Sequence, residues 1–538
     1  MSEVVQSAPR PQLGDVLELE IESLAFGGEG VARLPSGHAG EGGYVVFAAG
    51  AIPGDRVRAV VHKRKRSYAH ARTIEVLSPS PQRIAPVADH PGVPWQVIPY
   101  ESQLEIKRAQ VQEALTRLGG LSGFELAETI PALERWRYRN KLEYSFGGGH
   151  DDQELVCGFH VSAGGNRVAA MDDCLLASER GNRAREIALR WCREQGLAAW
   201  ERTPTGRTGR APGAARAPQR TRRGARALPT EGQASEHVPG PSPDGRARLR
   251  NLVVREGRRS ERLQVRLVST EGELDADGLA ATLAAELGET LSGVLWTRSR
   301  SLAETTAGGE TELVWGEPQL PERLTLTGTP RSAQASGQLD LRISSEAFFQ
   351  TNTEMAEVLY GVVAEYAGLQ GWERVYDLYS GIGTIALTLA PRAGEVWGIE
   401  LVAEAVADAI ASAARNEITN AHFFAGDTRL AMRELLQRSG RPDVLVVDPP
   451  RAGLSKKVVH RIVEAAPRRI VYVSCNPTTL APNAAELVEA GYSLRRVQPV
   501  DMFPQTHHIE CVALLEREDA PRREGSDGSA SSPASAAG

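Results

Sequence analysis

Apolar and polar residues alternate in short bursts through the first eighty positions. In DVLELEIESLAFGGEGVARL, residues 15–34, the alternation runs until Gly27 and Gly28 break it. GYVVFAAGAIPGDRVRAVVHKRKRSYAHARTIEVL, residues 43–77, continues in the same way around a Pro53-Gly54 turn. Period-two patterning with glycine turns predicts a small all-β barrel over 10–79. The pattern then changes period. YESQLEIKRAQVQEALTRLGG, residues 100–120, reads as a helix closed by a glycine pair. RWRYRNKLEYSF, residues 135–146, returns to alternation. As a strand it would put Trp136, Tyr138 and Asn140 on one face and Arg137, Arg139 and Lys141 on the other. From 341 to 518 a helix, TEMAEVLYGVVAEYAGL, precedes the strands RVYDLY, EVWGIEL, HFFAGD, DVLVVDPP and RIVYVSC. Continuous apolar strands between amphipathic helices predict an α/β domain, doubly wound around a parallel sheet. Residues 80–340 between barrel and sheet are expected to form an α+β domain.

Two stretches lack the apolar residues a core needs. Residues 203–248 are rich in Arg, Pro, Gly and Ala, and 519–538 in Ser, Gly and Ala. Neither buries enough surface to offset chain entropy, so both are expected to be disordered. The first reads as a tolerated surface insertion whose arginines could add non-specific affinity for RNA.

Totals narrow the class. At 538 residues and 41% hydrophobic content the chain can build several cores. A net charge of −6 excludes a uniformly basic nucleic-acid binder, though not local basic patches. Lys63, Arg64, Lys65, Arg66 and Arg72 around Tyr68 are one such patch. They read equally as a single-strand nucleic-acid surface or as a hairpin edge kept basic against aggregation. No apolar run is long enough to span a membrane, and the N-terminus has no secretory pattern, so a cytoplasmic protein is expected. The five cysteines, Cys157, Cys174, Cys192, Cys475 and Cys511, are too sparse for a disulfide framework.

Candidate chemistry gathers at the strand tips, where ligands bind in such sheets. Gly381 and Gly383 follow the first strand, Glu400 ends the second, Asp427 follows the third and Asp448 the fourth. Each acid alone could be a helix cap. Together, without a glycine-rich Lys-Ser/Thr phosphate loop, they suit S-adenosylmethionine, whose sulfonium needs no phosphate cradle. The fifth strand ends in Ser474-Cys475-Asn476-Pro477, which places a thiol at the ligand edge.

The motifs DLYSGIGTIAL, DPPRAGL, SCNP and HHIECVALL, with FFQTN at 348–352 ahead of them, resemble those of the RNA uracil-5-methyltransferase family. The N-terminal strands resemble its TRAM domain, an RNA-binding barrel. The resemblance implies a class I methyltransferase domain with Cys475 as nucleophile and Glu510 as general base. It places Asp448 against both cofactor and uracil, and Gln350, Tyr379, Glu400 and Asp427 around the cofactor. Arg451 follows the Pro-Pro pair where amino-group methyltransferases usually carry an aromatic, which counts against an amine target. Cys511, opposite in direction to Glu510, reads as core, and His507 and His508 as loop residues rather than metal ligands. The TRAM-like domain favours 23S ribosomal RNA, with a monomer expected. A transfer-RNA uracil methyltransferase and a non-catalytic RNA chaperone on the same fold are the alternatives.

One departure stands out. Many members carry Cys-x5-Cys-x2-Cys before the YESQL helix, with a fourth cysteine beyond, around a [4Fe–4S] cluster. Here RIAPVADHPGVPWQVIPYESQLEIK, residues 83–107, has no cysteine, and Cys174 alone matches the fourth position. One thiolate cannot hold four irons, so no iron–sulfur cluster and no metal are expected. Pro91, Pro94 and Pro99 are expected to stiffen the segment, with Trp95 filling the space near the missing cluster.

Overall fold

The computed structural model describes residues 10–34, 43–148, 153–161, 167–200, 244–303, 305–326 and 337–518. The alternating N-terminal segment forms six strands: β1 (Val16–Glu20), β2 (Ser23–Leu24), β3 (Gly30–Leu34), β4 (Tyr44–Ala49), β5 (Arg56–Arg64) and β6 (Tyr68–Ser78). They pair in the order β1-β5-β6-β4-β3-β2, and the sheet curls until β1 meets β3. Alternate residues of β4 and of the first part of β5, Tyr44, Val46, Ala48, Val57, Ala59 and Val61, point into one core. The basic residues Lys63 to Arg66 sit exposed where β5 turns into β6.

Next come α1 (Tyr100–Glu113), continued by one π-helical turn to Leu118, and the short strand β7 (Glu125–Leu126). The central sheet follows, with β8 (Lys141–Gly147), β9 (Val156–His160), β10 (Val168–Ala169), α2 (Glu179–Glu194), β11 (Leu249–Gly257), β12 (Arg262–Ser269), α3 (Ala276–Leu287), β13 (Leu291–Arg298) and β14 (Glu310–Gly316). Its order is β10-β9-β8-β11-β12-β13-β14, with α2 and α3 closing one core against it.

Several expectations need correction. Residues 135–140 are not strand: Arg137 has φ 53°, and Arg137 and Arg139 N–H donate to Leu175 and Leu176 carbonyls across the domain. The expected basic face is also neutralised in part, since Arg137 pairs with Asp173 (2.8 Å) and Lys141 with Glu143 (2.7 Å). The space beside Cys174 is taken by His90, whose Nε2 lies 3.4 Å from the sulfur and whose ring faces Phe159. Trp95 packs elsewhere, with Leu24, Ile52 and Ile98, between barrel and α1. The insertion lies mostly outside the described residues, but its last residues do not belong to it. Arg246 bridges to Glu273, and Ala247 is buried. The tail 519–538 also lies outside them.

The last part opens with a hairpin, β15 (Gln319–Leu326) and β16 (Gly337–Ser344). The boundary expected at 340 falls inside β16, because this hairpin packs its leucines into the C-terminal core, not the central one. There follow α4 (Thr353–Ala367), β17 (Arg374–Leu378), α5 (Thr384–Leu389), β18 (Glu395–Glu400), α6 (Ala403–Arg415), β19 (Ala421–Ala425), α7 (Thr428–Arg438) and β20 (Val444–Val447). The chain ends with α8 (Lys456–Ala465), β21 (Arg469–Ser474), α9 (Pro477–Glu489), β22 (Tyr492–Val500) and β23 (Glu510–Arg517). The eight-stranded sheet runs β19-β18-β17-β20-β21-β23-β22-β7. β19 to β21 are parallel, as their unbroken apolar runs require, and β23 inserts antiparallel beside β21. Cores lie on both faces, so the α/β doubly wound expectation describes the domain. No helix among the described residues is long and apolar enough to cross a membrane.

Candidate active site

The chain order reverses at β17, with β18 on one side and β20 on the other, and the crevice beyond these strand ends is where such sheets bind ligands. Phe348, Gln350, Tyr379, Ser380, Gly381 and Asp448 line a cleft there. Tyr379 leaves β17 with φ 63° and Gly381 follows at φ 54°, so the turn folds back on itself and aims backbone at the cleft. A side chain at Gly381 would meet open space, its nearest neighbour being the Phe348 carbonyl at 3.9 Å. Gly383 differs: a Cβ there would sit 2.8 Å from the Phe423 ring, so close packing requires that glycine.

Glu400 at the tip of β18 accepts from Gly381 N–H (3.0 Å) and Val402 N–H (2.9 Å), leaving lone pairs toward the crevice. Asp427 caps α7, accepting from Arg429 and Leu430 N–H, and stands next to Tyr379. Its helix-cap role and a ligand role are compatible, since the carboxylate stays half exposed. Gln350 Nε2 donates to Asp448 Oδ2 at 3.3 Å. Burial holds the Asp448 carboxyl up at about 7 despite that bond. Ser380 Oγ is buried without a partner among the described residues. A cleft with an orphaned hydroxyl, a bare glycine backbone and flanking carboxylates fits an adenosyl group carrying hydroxyls and a cation.

The thiol half is built by strand register. The β21–β23 pair ends with Ser474 facing Cys511, and the next residue on each side is Cys475 and Glu510, close enough for Glu510 to act on the thiol. Cys475 is partly exposed while the other four cysteines are buried. Glu510 is 3% exposed, and its Oε2 has no hydrogen-bond partner among the described residues. Burial first, then the nearby Asp448, raises the Glu510 pKa well above the usual carboxylate range, with Arg451 opposing. Burial and the Glu510 charge push the Cys475 thiol up to about 11, while the Arg451 guanidinium pulls it back. Cys511 points into the core, as its position in the strand requires.

Arg451 was not assigned a role from the sequence, although it follows directly on Asp448-Pro-Pro. It reaches the thiol, and its backbone carbonyl accepts from Asn476 Nδ2 (3.0 Å). Asn476 also caps α9, so one side chain clamps the Pro-Pro-Arg loop to the cysteine loop. Gly453 lets these loops meet, since a Cβ there would lie 2.8 Å from Asn483 Oδ1. His508 is part of the same cluster: Arg451 donates to its Nδ1 at 2.7 Å. Among the described residues no group of three or more His, Cys, Asp or Glu is arranged to hold a metal ion. Cys174 is a single buried thiol facing His90, so its surroundings do not fit an iron–sulfur cluster.

Comparison with known proteins agrees with this fold. The family model described as tRNA (Uracil-5-)-methyltransferase matches residues 333–518, and that of the TRAM domain matches 10–74. A protein of Chlorobaculum tepidum named as an uncharacterized RNA methyltransferase is 34% identical, covering 96% of this chain and 99% of its own. One of Halalkalibacterium halodurans, with the same description, is 32% identical over 93% of this chain and 97% of its own. The crystal structure of the Pyrococcus abyssi tRNA (uracil-54, C5)-methyltransferase in complex with S-adenosyl-L-homocysteine shares the fold. Its TM-score is 0.65 at 24% identity, over 93% of this chain and 100% of that one. On its fold, motifs and relatives, the chain belongs to the S-adenosylmethionine-dependent RNA uracil-5-methyltransferases that carry an N-terminal TRAM domain.

Proposed function

We propose that the protein acts in the cytoplasm, as a monomer, forming 5-methyluridine in 23S ribosomal RNA through a covalent adduct between Cys475 and uracil C6. The observation that supports the covalent route is the end of the β21–β23 pair, where Cys475 and Glu510 follow on the last facing residues and Asp448 and Arg451 lie close enough to act on the thiol. Bound against Gln350, Tyr379, Gly381, Glu400, Asp427 and Asp448, S-adenosylmethionine supplies an electrophilic methyl group on its sulfonium. Uracil C5 is a weak nucleophile until the Cys475 thiolate adds to C6. The new Sγ–C6 bond then moves the C5–C6 electron pair to C5, which can accept the methyl. Glu510 afterwards takes the C5 proton, the pair reforms the ring double bond, and Sγ–C6 breaks to return the thiolate. Burial makes the ionised Glu510 a stronger base than an exposed carboxylate. The target must leave its stack to reach Cys475, which suits a structured RNA loop.

Denaturing gels with labelled RNA test the route. Cys475→Ala should bind RNA without methylating or cross-linking, and Glu510→Gln should methylate once and stay attached. Full turnover by Cys475→Ala would end the covalent reading. One observation supports a second substrate. The Pyrococcus abyssi neighbour is a tRNA enzyme, and covering 93% of this chain it extends into the barrel region. A barrel therefore does not by itself separate the two RNAs. Equal or faster methylation of tRNA transcripts than of 23S fragments would favour the transfer-RNA reading.

A further inference from the structure

The turn between β2 and β3 of the barrel reaches the catalytic loop. Gly28, at φ 85°, lies so close to His507 that a Cβ on it would be 3.0 Å from the His507 Cβ and 3.1 Å from Nδ1. Gln110 of α1 fixes that turn from behind, donating to the Leu24 and Ala25 carbonyls at 3.2 Å each. The rings of His507 and His508 are 4.1 Å apart, and His508 Nδ1 accepts from the Arg451 guanidinium at 2.7 Å. That guanidinium is the cation that faces the Cys475 thiol. The path is continuous from an RNA-binding domain to the nucleophile, and apart from the neighbouring His507 and His508 its contacts join separate segments of the chain.

We propose that His508 is a positioning residue for Cys475, holding Arg451 against the thiol, and that the barrel turn sets His508 through His507. The proposal rests on Cys475 being the nucleophile. An acceptor for a guanidinium must be a neutral imidazole. Burial first, then His507, Arg451, Arg139 and Lys107, push His508 down to about 3, and burial with Arg451 and Lys107 brings His507 to about 4. Both rings therefore stay uncharged across the working range. Among the described residues Arg451 is the cation with the largest effect on the thiol. It is opposed by Glu510 and Asp448, and the Tyr472 and Cys511 side chains lie within reach of the same field. Losing the acceptor frees Arg451 to swing into water, and a thiol without its cation ionises later.

Alkylation of Cys475 by iodoacetamide, followed by peptide mass spectrometry on the full chain without RNA, reads this directly, because the other four cysteines are buried. His508→Phe keeps the bulk and removes the acceptor. Its Cys475 alkylation at pH 8 should fall about tenfold, equivalent to about one unit in the thiol pKa. His508→Asn puts an acceptor oxygen near the Nδ1 position and should stay within about twofold of wild type. Gly28→Ala and, should that variant fail to fold by circular dichroism, His507→Ala should lower the rate about threefold. A His508→Phe profile that overlays wild type, or a His508→Asn loss as large as that of Phe, overturns the role of His508. Wild-type behaviour of both Gly28→Ala and His507→Ala overturns the role of the barrel. Alkylation needs neither RNA nor methyl donor, so these results stand apart from the Cys475→Ala methylation assay that decides the nucleophile.

Discussion

Replacing Lys107 by Met should unfasten the catalytic loop. Lys107 on α1 and Asp501 are both 0% exposed, and Nζ lies 2.6 Å from Oδ1. The ammonium also donates to the Phe503 carbonyl at 3.1 Å and sits 5.6 Å from the centre of the Trp95 ring. Burial lowers the lysine pKa, against the pull of Asp501 in the other direction. At an effective dielectric of about 20 the pair attracts by about 6 kcal/mol, most of it offset by the hydration both ions give up. Met fills the aliphatic volume but leaves the carboxylate buried with only the Tyr100 hydroxyl, 2.8 Å away, for company. Removing one partner of such a pair costs about 3–5 kcal/mol. A chain of several domains does not unfold in one step, so the local measure is native-state hydrogen exchange over 100–113. Protection there should fall by about that amount. Lys107→Met/Asp501→Asn should recover most of it, because Asn still accepts from Tyr100 and carries no charge. A loss under about 1 kcal/mol in the single variant, or no recovery in the double, would show that the pair does not secure the loop.

Single-turnover methylation should quicken with pH from about 6.5 to 9, by close to tenfold per unit at the upper end. The Cys475 thiol, the proposed nucleophile, has its pKa raised to about 11, so its ionised fraction grows as pH rises toward that value. A flat profile would mean that thiolate formation does not limit the rate. Deleting 204–242 should leave the melting temperature within about 2 °C and weaken RNA binding mainly at low salt, by its composition. The flanks are already joined, since Ala199 bridges Leu249 and Trp200 N–H donates to the Leu249 carbonyl at 2.7 Å. A large drop in melting temperature would show that the segment contributes to folding. Protein purified anaerobically should carry no stoichiometric iron and sulfide and show no broad visible band, and a chelator should not change its stability. Stoichiometric iron would require ligands beyond Cys174.

The strand tips were readable because each carries two local signals, an unbroken apolar run and an acid or glycine at its end, and a parallel sheet converts that linear pattern into one edge. Glu510 was readable only as a motif. Its burial depends on β23 slotting between β21 and β22, a pairing between segments far apart that no local period encodes. The stretch 135–140 misled for the opposite reason. Its alternation is real, but the partners of its amides are the Leu175 and Leu176 carbonyls, and Arg137 turns the chain where a strand would run straight. The packing of His90 against Cys174 and Phe159 follows from the fold of the 83–107 segment, which its prolines constrain but do not specify. Arg451 and His508 lie 57 residues apart, and only the approach of two loops at the strand ends makes them neighbours.

The two-residue strand β7 has a consequence for dissecting this enzyme. It pairs in parallel with β22 at Arg496 and Val497, and the π-helical turn after α1 presses Leu115 into the apolar side of the C-terminal sheet. A fragment beginning near 333, where the methyltransferase family model begins, would lose both. Its β22 would then be a bare sheet margin with free amides and carbonyls, open to the same strand of another molecule. Such a fragment should self-associate, whereas a split that keeps 100–130 with the C-terminal part would leave that margin covered.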